Sequence, residues 1–365
     1  MARPVHATED SPRFTRSLMD GYAVRAADTR NRQPLRVLGF VPAGWAHRGR
    51  VRPATCVLIA TGAPVPAGAD AVVRLEDALN VPGGRMACGV PVRRGENITL
   101  RGACFRKGAM LLAPGTWLGA SQIALLASQG ECRVRVYGKP RVAVISTGDE
   151  IVEAGRPKAP ARIWNASAPM LVSALRSFGI EPEYLGCVRD DAGEVKRRLR
   201  QGLSRDILIV TGAVSAGNRD FVPGALRQLG AKILFHKVRI RPGKPVLLAR
   251  RGRSIVFGLP GNAVSSFVTF LLFVRPFLER SLGLPGALVF EKGVLASAAG
   301  NTSGRLSFLP GRLKEGRGRV QIVPLRFCDS SDLRSAAAAD VFYVLREAQV
   351  KAGKGTAVPF FRIPR

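Results

Sequence analysis

The chain has 365 residues and a mass of 39.1 kDa, more than one hydrophobic core serves, since cores rarely grow past ~250 residues before a chain splits into domains. Hydrophobic residues at 46% against 22% charged, with 40 Gly and 25 Pro, exclude a disordered chain and suit a folded, turn-rich one. The 56 Lys+Arg against 26 Asp+Glu leave a formal +30, which attracts polyanions. The basic residues are spread along the whole length in short clusters such as Lys196-Arg197-Arg198. A solvated basic surface explains them more simply than a specific partner does, and without a base-reading module or stacking pattern no specific nucleic acid is expected.

The six cysteines form no CxxC pair and there are three histidines, so neither a zinc centre nor a disulfide framework is expected. The first residues, MARPVHATEDSPRF, lack the apolar core of a secretory signal. The longest apolar stretch, 264–274, is interrupted by Ser265, Ser266 and Thr269 and is too short to cross a bilayer. A cytoplasmic protein without membrane contact is expected.

From Asp20 to about Arg94, Gly, Pro and short Val-rich runs such as Ala71-Val72-Val73 predict a small β-rich unit. Between Gly95 and Gly138 a turn-rich stretch precedes a helix over 122–127 and an alternating run, 132–136, that reads as a strand. After Lys139-Pro140 the pattern becomes strand, loop and helix in repetition. Apolar runs at 141–145, 206–210 and 254–257 each end in a glycine-containing loop, with helices predicted at about 167–179, 192–203 and 221–229. That alternation predicts a parallel-rich sheet covered on both faces, with ligands beyond the carboxyl ends of its strands. Past Gly283 the helical pattern stops, and short strand-like segments predict a β-barrel-like tail. The fold class is therefore α/β plus β in a multidomain chain.

The three loops share a physical logic: glycine lets backbone approach a ligand, and peptide N–H groups near a helix start bind phosphate. Asn262 is placed to cap a helix beginning at Ala263. The loops also carry carboxylates: Asp149 and Glu150 in the first, Asp190 and Asp191 farther on, and Asp220 past Ser215. Carboxylates at strand ends suit Mg²⁺, which bridges them to substrate phosphates. Asp190 or Asp191 equally suits a cap for the helix over 192–203. In 237–245, alternation on a strand puts Lys237, Arg239 and Arg241 on one face, and Pro242-Gly243 returns Lys244 towards them. This reads either as an oxyanion cradle or as a charge-protected sheet edge.

Five segments carry a family resemblance: 17–24 (SLMDGYAV), 61–70 (TGAPVPAGAD), 146–150 (STGDE), 241–245 (RPGKP) and 258–262 (GLPGN). In this order and spacing they resemble the molybdopterin molybdenumtransferases, the MoeA and gephyrin E-domain family. The resemblance implies four parts: an elongated dimerisation unit from 1–19 and 95–138, a small β-rich domain at 20–94, a MogA-like three-layer α/β domain at 139–283, and a β-barrel domain at 284–365. It implies a homodimer that inserts molybdate into adenylylated molybdopterin with Mg²⁺ and releases AMP, in transient contact with a molybdopterin adenylyltransferase. It assigns Asp20, Thr61, Glu150, Asp190 and Asp220 to the catalytic cleft, with Glu150, Asp190 and Asp220 holding the metal. Gly148, Gly212, Ser215, Lys237, Arg241, Lys244, Pro260, Asn262 and Ser331 are assigned to substrate.

The sequence departs from the family at several places. Ala213 stands where a second loop glycine is usual, Ala263 where a proline follows Pro-Gly-Asn, and Pro310 where a second arginine is common, with Arg312 a candidate replacement. The stretch before Asp20 is shorter than usual. These departures leave a molybdopterin-binding scaffold as an alternative, and a tungstate-inserting homologue is another, because the two oxyanions are nearly the same in size and charge.

Overall fold

Val142–Thr147 is buried at every position, as an apolar run flanked by strands and covered on both faces must be. In the computed structural model, which describes residues 1–214, 221–316 and 319–364, it lies inside a six-stranded sheet. The order is Glu183–Val188, Val142–Thr147, Ile207–Thr211, Ser254–Leu259, Leu247–Arg251, Lys232–His236. The first four run parallel, and the last two are added through antiparallel pairings that leave Lys232–His236 at the edge. Side-chain alternation feeds two cores. Val142 and Val144 share one with Leu171, Leu175, Val264 and Val268, while Ala143 and Ile145 share the other with Val195, Leu199, Val222 and Leu226. The covering helices are Ser167–Arg176 and Ala263–Thr269 on one face, Ala192–Gly202 and Phe221–Gln228 on the other, the three layers expected. Fully burying each such aliphatic side chain contributes roughly 1.5–3 kcal/mol. The helix beginning at Ala263 continues through a π turn, Phe270–Val274, into Arg275–Ser281. No helix among the described residues is long and apolar enough to cross a membrane.

The tail is a five-stranded closed sheet made by Glu291–Leu295, Leu306–Gly316, Arg319–Pro324, Val341–Leu345 and Ala357–Arg362. Closure depends on the long strand Leu306–Gly316. Its first half pairs with Val341–Leu345 and its second half with Arg319–Pro324, the handover falling at Gly311. A Cβ at Gly311 would stand 2.7 Å from the Ile322 side chain, so glycine is what the close packing admits. One helix, Leu333–Ala338, lies in this region where none was expected; Asp332 caps it, accepting from the Ser335 amide at 3.1 Å.

Chain compactness separates Met1–Val136 from Tyr137–Arg365. The first unit holds a mixed six-stranded sheet in the order Ala71–Arg74, Gly21–Val24, Thr55–Ile59, Leu35–Val41, Arg85–Cys88, Ala78–Val81. The expected helix is present as Ala120–Ser128. The expected strand at 132–136 is absent: the run has no ladder partner, and its backbone accepts one bond, from the Ala2 amide to the Arg135 carbonyl. Alternation gives a run the faces of a strand, but a ladder needs a second edge.

The strand expected through 237–241 is also broken. Lys232–His236 ends at Lys237, whose φ is 70°, and Ile240–Arg241 then pairs parallel with Leu306–Ser307 of the barrel. The chain changes sheets inside this segment, so Lys237, Arg239 and Arg241 do not share one strand face. The left-handed residue supplies the turn, which an extended-run reading misses.

Candidate oxyanion and phosphate site

The strands Val142–Thr147 and Ile207–Thr211 are adjacent, yet the chain leaves the first to build Glu183–Val188 on its other side before returning. Their carboxyl ends are thus a topological switch point, where open α/β sheets bind ligands. There the Thr147 hydroxyl donates to the Thr211 carbonyl at 3.2 Å. Gly212 follows with φ 86°, and a Cβ on it would stand 2.4 Å from the Thr147 carbonyl oxygen. Both the space and the dihedral require glycine. Ala213 continues in the left-handed region at φ 49°, so the alanine that departs from the family pattern adopts the conformation glycine would have filled, at a cost of about 1–2 kcal/mol. Ser215 and Asp220, in the same loop, lie outside the described residues.

The first loop places Gly148 at φ 144° with the exposed Glu150 carboxylate folded over it; a Cβ there would meet that carboxylate at 2.7 Å. Asp190 donates its amide to Asp149 Oδ1 at 3.2 Å, whereas Asp191 is the cap of Ala192–Gly202, accepting from the Glu194 amide at 2.8 Å. The capping role thus belongs to Asp191. Cys187, half-buried between these loops, has its thiol pushed up to about 12, first by burial and then by the negative charge of Glu153, Glu150, Asp190 and Glu194. Glu150 and Asp190 therefore lie within electrostatic reach of one sulfur. Among the described residues no group of three or more His, Cys, Asp and Glu is placed to hold a metal.

A cavity of ≈ 430 Å³ opens nearby, lined by the 241–245 turn, by Pro260, Gly261, Asn262 and Ser265, and by Arg305, Phe327, Asp329 and Ser330. The sheet change described above delivers Arg241 and Lys244 to it. Arg305 comes from the barrel and donates to the Ile240 carbonyl at 3.3 Å. None of these three cations forms an ion pair among the described residues, whereas Asp329 is engaged by the Ser331 amide at 2.7 Å and the Ser331 hydroxyl at 2.5 Å. Those bonds hold the Asp329 carboxyl below its ordinary value. Asn262 occupies the cap position before Ala263 but makes no side-chain cap; its amide donates to Ser330 Oγ at 2.7 Å instead. The glycine of this loop also adjoins the switch point: a Cβ on Gly261 would lie 3.6 Å from the Gly212 Cα.

Of the expected site residues, the structure brings Arg241, Lys244, Pro260 and Asn262 to one cavity wall, with Ser331 bonded to its rim residue Asp329. Gly148, Gly212, Glu150 and Asp190 sit at the strand ends. Lys237 is exposed and does not line the cavity. Asp20 and Thr61 belong to the first unit, where the Thr61 amide donates to Asp20 Oδ1 at 2.7 Å, joining two motif segments. Arg312 lines a different cavity, beside Met170 and Leu333, with its Nε bonded to the Ala338 carbonyl at 2.9 Å; it does not replace an arginine at this one. Sequence reasoning missed Arg305, Asp329 and Ser330. Arg305 immediately precedes the strand Leu306–Gly316, in which the Pro310 departure falls, and that was its available signal. Asp329 and Ser330 gave none beyond a polar turn.

Comparisons with known proteins cover both units. Residues 1–130 match the MoeA N-terminal region (domain I and II), 143–280 a probable molybdopterin binding domain, and 292–362 the MoeA C-terminal region (domain IV). A molybdopterin molybdenumtransferase of Bacillus subtilis is 34% identical over 356 residues, 94% of this chain and 83% of its own length. One from a Nostoc species is 36% identical over 293 residues, covering 78% of this chain and 67% of its own. A MoeA crystal structure from Pyrococcus horikoshii superposes with a TM-score of 0.82 at 32% identity, covering 100% of this chain and 91% of that one.

Proposed function

The chain belongs to the molybdopterin molybdenumtransferases, enzymes of molybdenum cofactor biosynthesis, and from that premise we propose that it inserts molybdate into adenylylated molybdopterin and releases AMP. The observation that carries this reading is the cavity where Arg241, Lys244 and Arg305 converge without ion-pair partners among the described residues, beside a glycine-built switch point suited to phosphate. Cationic groups in a partly enclosed pocket favour an oxyanion more than they do in bulk water. Two molybdenum–sulfur bonds form as the two dithiolene thiols give their protons to one molybdate oxygen, which leaves as water, and attack of a second water on the phosphoanhydride frees AMP and leaves the other phosphate on the molybdopterin.

Lys244 and Arg241 hold the oxyanion, Pro260, Asn262 and Ser331 frame it, and Gly148 and Gly212 admit the phosphates. Glu150 and Asp190, whose charges both act on the Cys187 thiol, are the proposed carboxylates for Mg²⁺, which takes one or two carboxylates together with substrate phosphates; Asp220 is the third proposed ligand. When bound, the ion supplies positive charge for the departing phosphate. Lys237 is proposed as an entry cation at most, since it lies off the cavity wall. The four-part division, the homodimer with Asp20 and Thr61 at its cleft, the adenylyltransferase contact and a cytoplasmic location belong to the same proposal.

The test is AMP release from adenylylated molybdopterin by the purified chain, with and without molybdate and Mg²⁺, beside Asp220→Asn. Release that needs both and collapses in the variant supports the reading; equal release without molybdate sinks it. A second reading, a scaffold that binds the pterin nucleotide without turning it over, is favoured by the strained Ala213. It predicts retained nucleotide binding with no AMP.

A further inference from the structure

The first loop continues into a flap that the proposed chemistry does not use. Ile151–Val152 pairs parallel with Ile163–Trp164, and the connecting loop carries Arg156, Lys158 and Arg162, all exposed and none in an ion pair among the described residues. Its acid, Glu153, is engaged by the Tyr184 hydroxyl at 2.5 Å. Trp164 is 54% exposed, as Trp45 at 71% and Trp117 at 52% also are, and what marks it is that its ring is fixed: Nε1 donates to the Arg156 carbonyl at 3.1 Å, and Lys158 Nζ sits 4.9 Å from the ring centroid. The next residues tie this ring to the site. Asn165 is buried and donates to Ser146 Oγ at 3.2 Å, at the end of the central strand, and Ser167 Oγ donates to the Gly261 carbonyl at 3.1 Å, on the cavity wall.

We propose that Trp164 is a stacking platform for the flat nitrogen heterocycle of the substrate, with Lys158, Arg156 and Arg162 receiving the phosphate beside it. An indole held at its edge offers its face without paying to order it, and a base stacked on such a face is recognised with little regard to its hydrogen-bonding edge. An incoming ring takes the place of the Lys158 ammonium on the indole, which frees that charge for the adjoining phosphate. The heterocycle is either the adenine or the pterin. The inference rests on the transferase reading for its substrate, and its test separates the two.

The experiment is equilibrium titration of the full chain, as wild type, Trp164→Ala and Trp164→Phe, with three probes: AMP, 6-hydroxymethylpterin and ribose 5-phosphate. Trp164→Ala is expected to weaken one ring-bearing probe roughly ten- to a hundredfold, Trp164→Phe to restore most of the loss, and ribose 5-phosphate to bind all three proteins equally. Loss confined to AMP places adenine on the platform; loss confined to the pterin places the pterin there. Unchanged binding of both ring probes in Trp164→Ala, no ring binding by wild type, or an equal loss for ribose 5-phosphate overturns the platform. The transferase reading fails separately, by absence of molybdate-dependent AMP release from the wild type.

Discussion

The Thr147 hydroxyl bonds the Thr211 carbonyl across 3.2 Å at the carboxyl ends of two adjacent parallel strands, and this contact fixes the crevice against which Gly212 is pressed. Gly212→Ala drives a methyl group to 2.4 Å from the Thr147 carbonyl at φ 86°. It is expected to cost about 2–4 kcal/mol through clash and left-handed strain, read as a lower urea midpoint for unfolding of the unit Tyr137–Arg365. A midpoint like wild type's would show that the crevice is looser than described.

The neighbouring position gives the opposite sign. Ala213 is held at φ 49°, where glycine carries no Cβ penalty, although glycine also gains freedom in the unfolded chain. Ala213→Gly is expected to raise stability by roughly 0.5–1 kcal/mol. A drop in the urea midpoint would mean that the alanine methyl's packing against the adjacent core outweighs the strain.

Lys244 is exposed and without an ion pair among the described residues, so its removal leaves packing alone. Lys244→Ala is expected to change stability by less than about 0.5 kcal/mol while weakening molybdate binding about tenfold, with the remaining affinity less sensitive to salt. Calorimetric titration at two ionic strengths checks both, and unchanged affinity removes Lys244 from the cradle.

Asp206 connects pH to stability. The Arg141 guanidinium and backbone amide hold its carboxyl below the ordinary 3.8. A carboxyl lowered by folding stabilises the protein above the unfolded value, and that contribution is lost as pH falls through the folded one. Unfolding midpoints of Asp206→Asn and wild type should therefore differ at pH 7 and converge as pH drops below about 3.8. Parallel profiles down to pH 2 would contradict the pairing.

The thiols give a map of the carboxylate cluster. Cys187, pushed up to about 12, stays protonated at pH 8, while Cys104, Cys132 and Cys328 are exposed. Iodoacetamide followed by peptide mass mapping should label those three well before Cys187, because the thiolate is the reacting form. Early labelling of Cys187 would deny the burial and the nearby negative charge.

The α/β layers were legible in sequence because each central strand is an uninterrupted apolar run that ends in glycine, and each helix keeps an apolar stripe at helical spacing. Loop residues Gly148, Gly212 and Asn262 were legible for the same reason, since they follow those runs directly. Lys237 was misplaced because alternation cannot report a left-handed residue that sends Ile240–Arg241 to another sheet. Arg305, Asp329 and Ser330 were missed because they reach the cavity through barrel pairing, a contact across more than sixty residues. The strand expected at 132–136 failed since pairing partners are set by tertiary structure, and Asp190 and Asp191 could be told apart only once the Glu194 amide was seen to choose Asp191.

The most direct measurement is AMP released in a single turnover from adenylylated molybdopterin with Mg²⁺ present, as molybdate is titrated, for wild type and for the double substitution Arg241→Ala with Lys244→Ala. Wild type is predicted to release AMP with a saturable dependence on molybdate. The double variant, folded by its unfolding midpoint, is predicted to need at least about a hundredfold more molybdate, tenfold for each cation removed. Identical molybdate dependence in the two proteins would place the oxyanion elsewhere and contradict the cavity assignment.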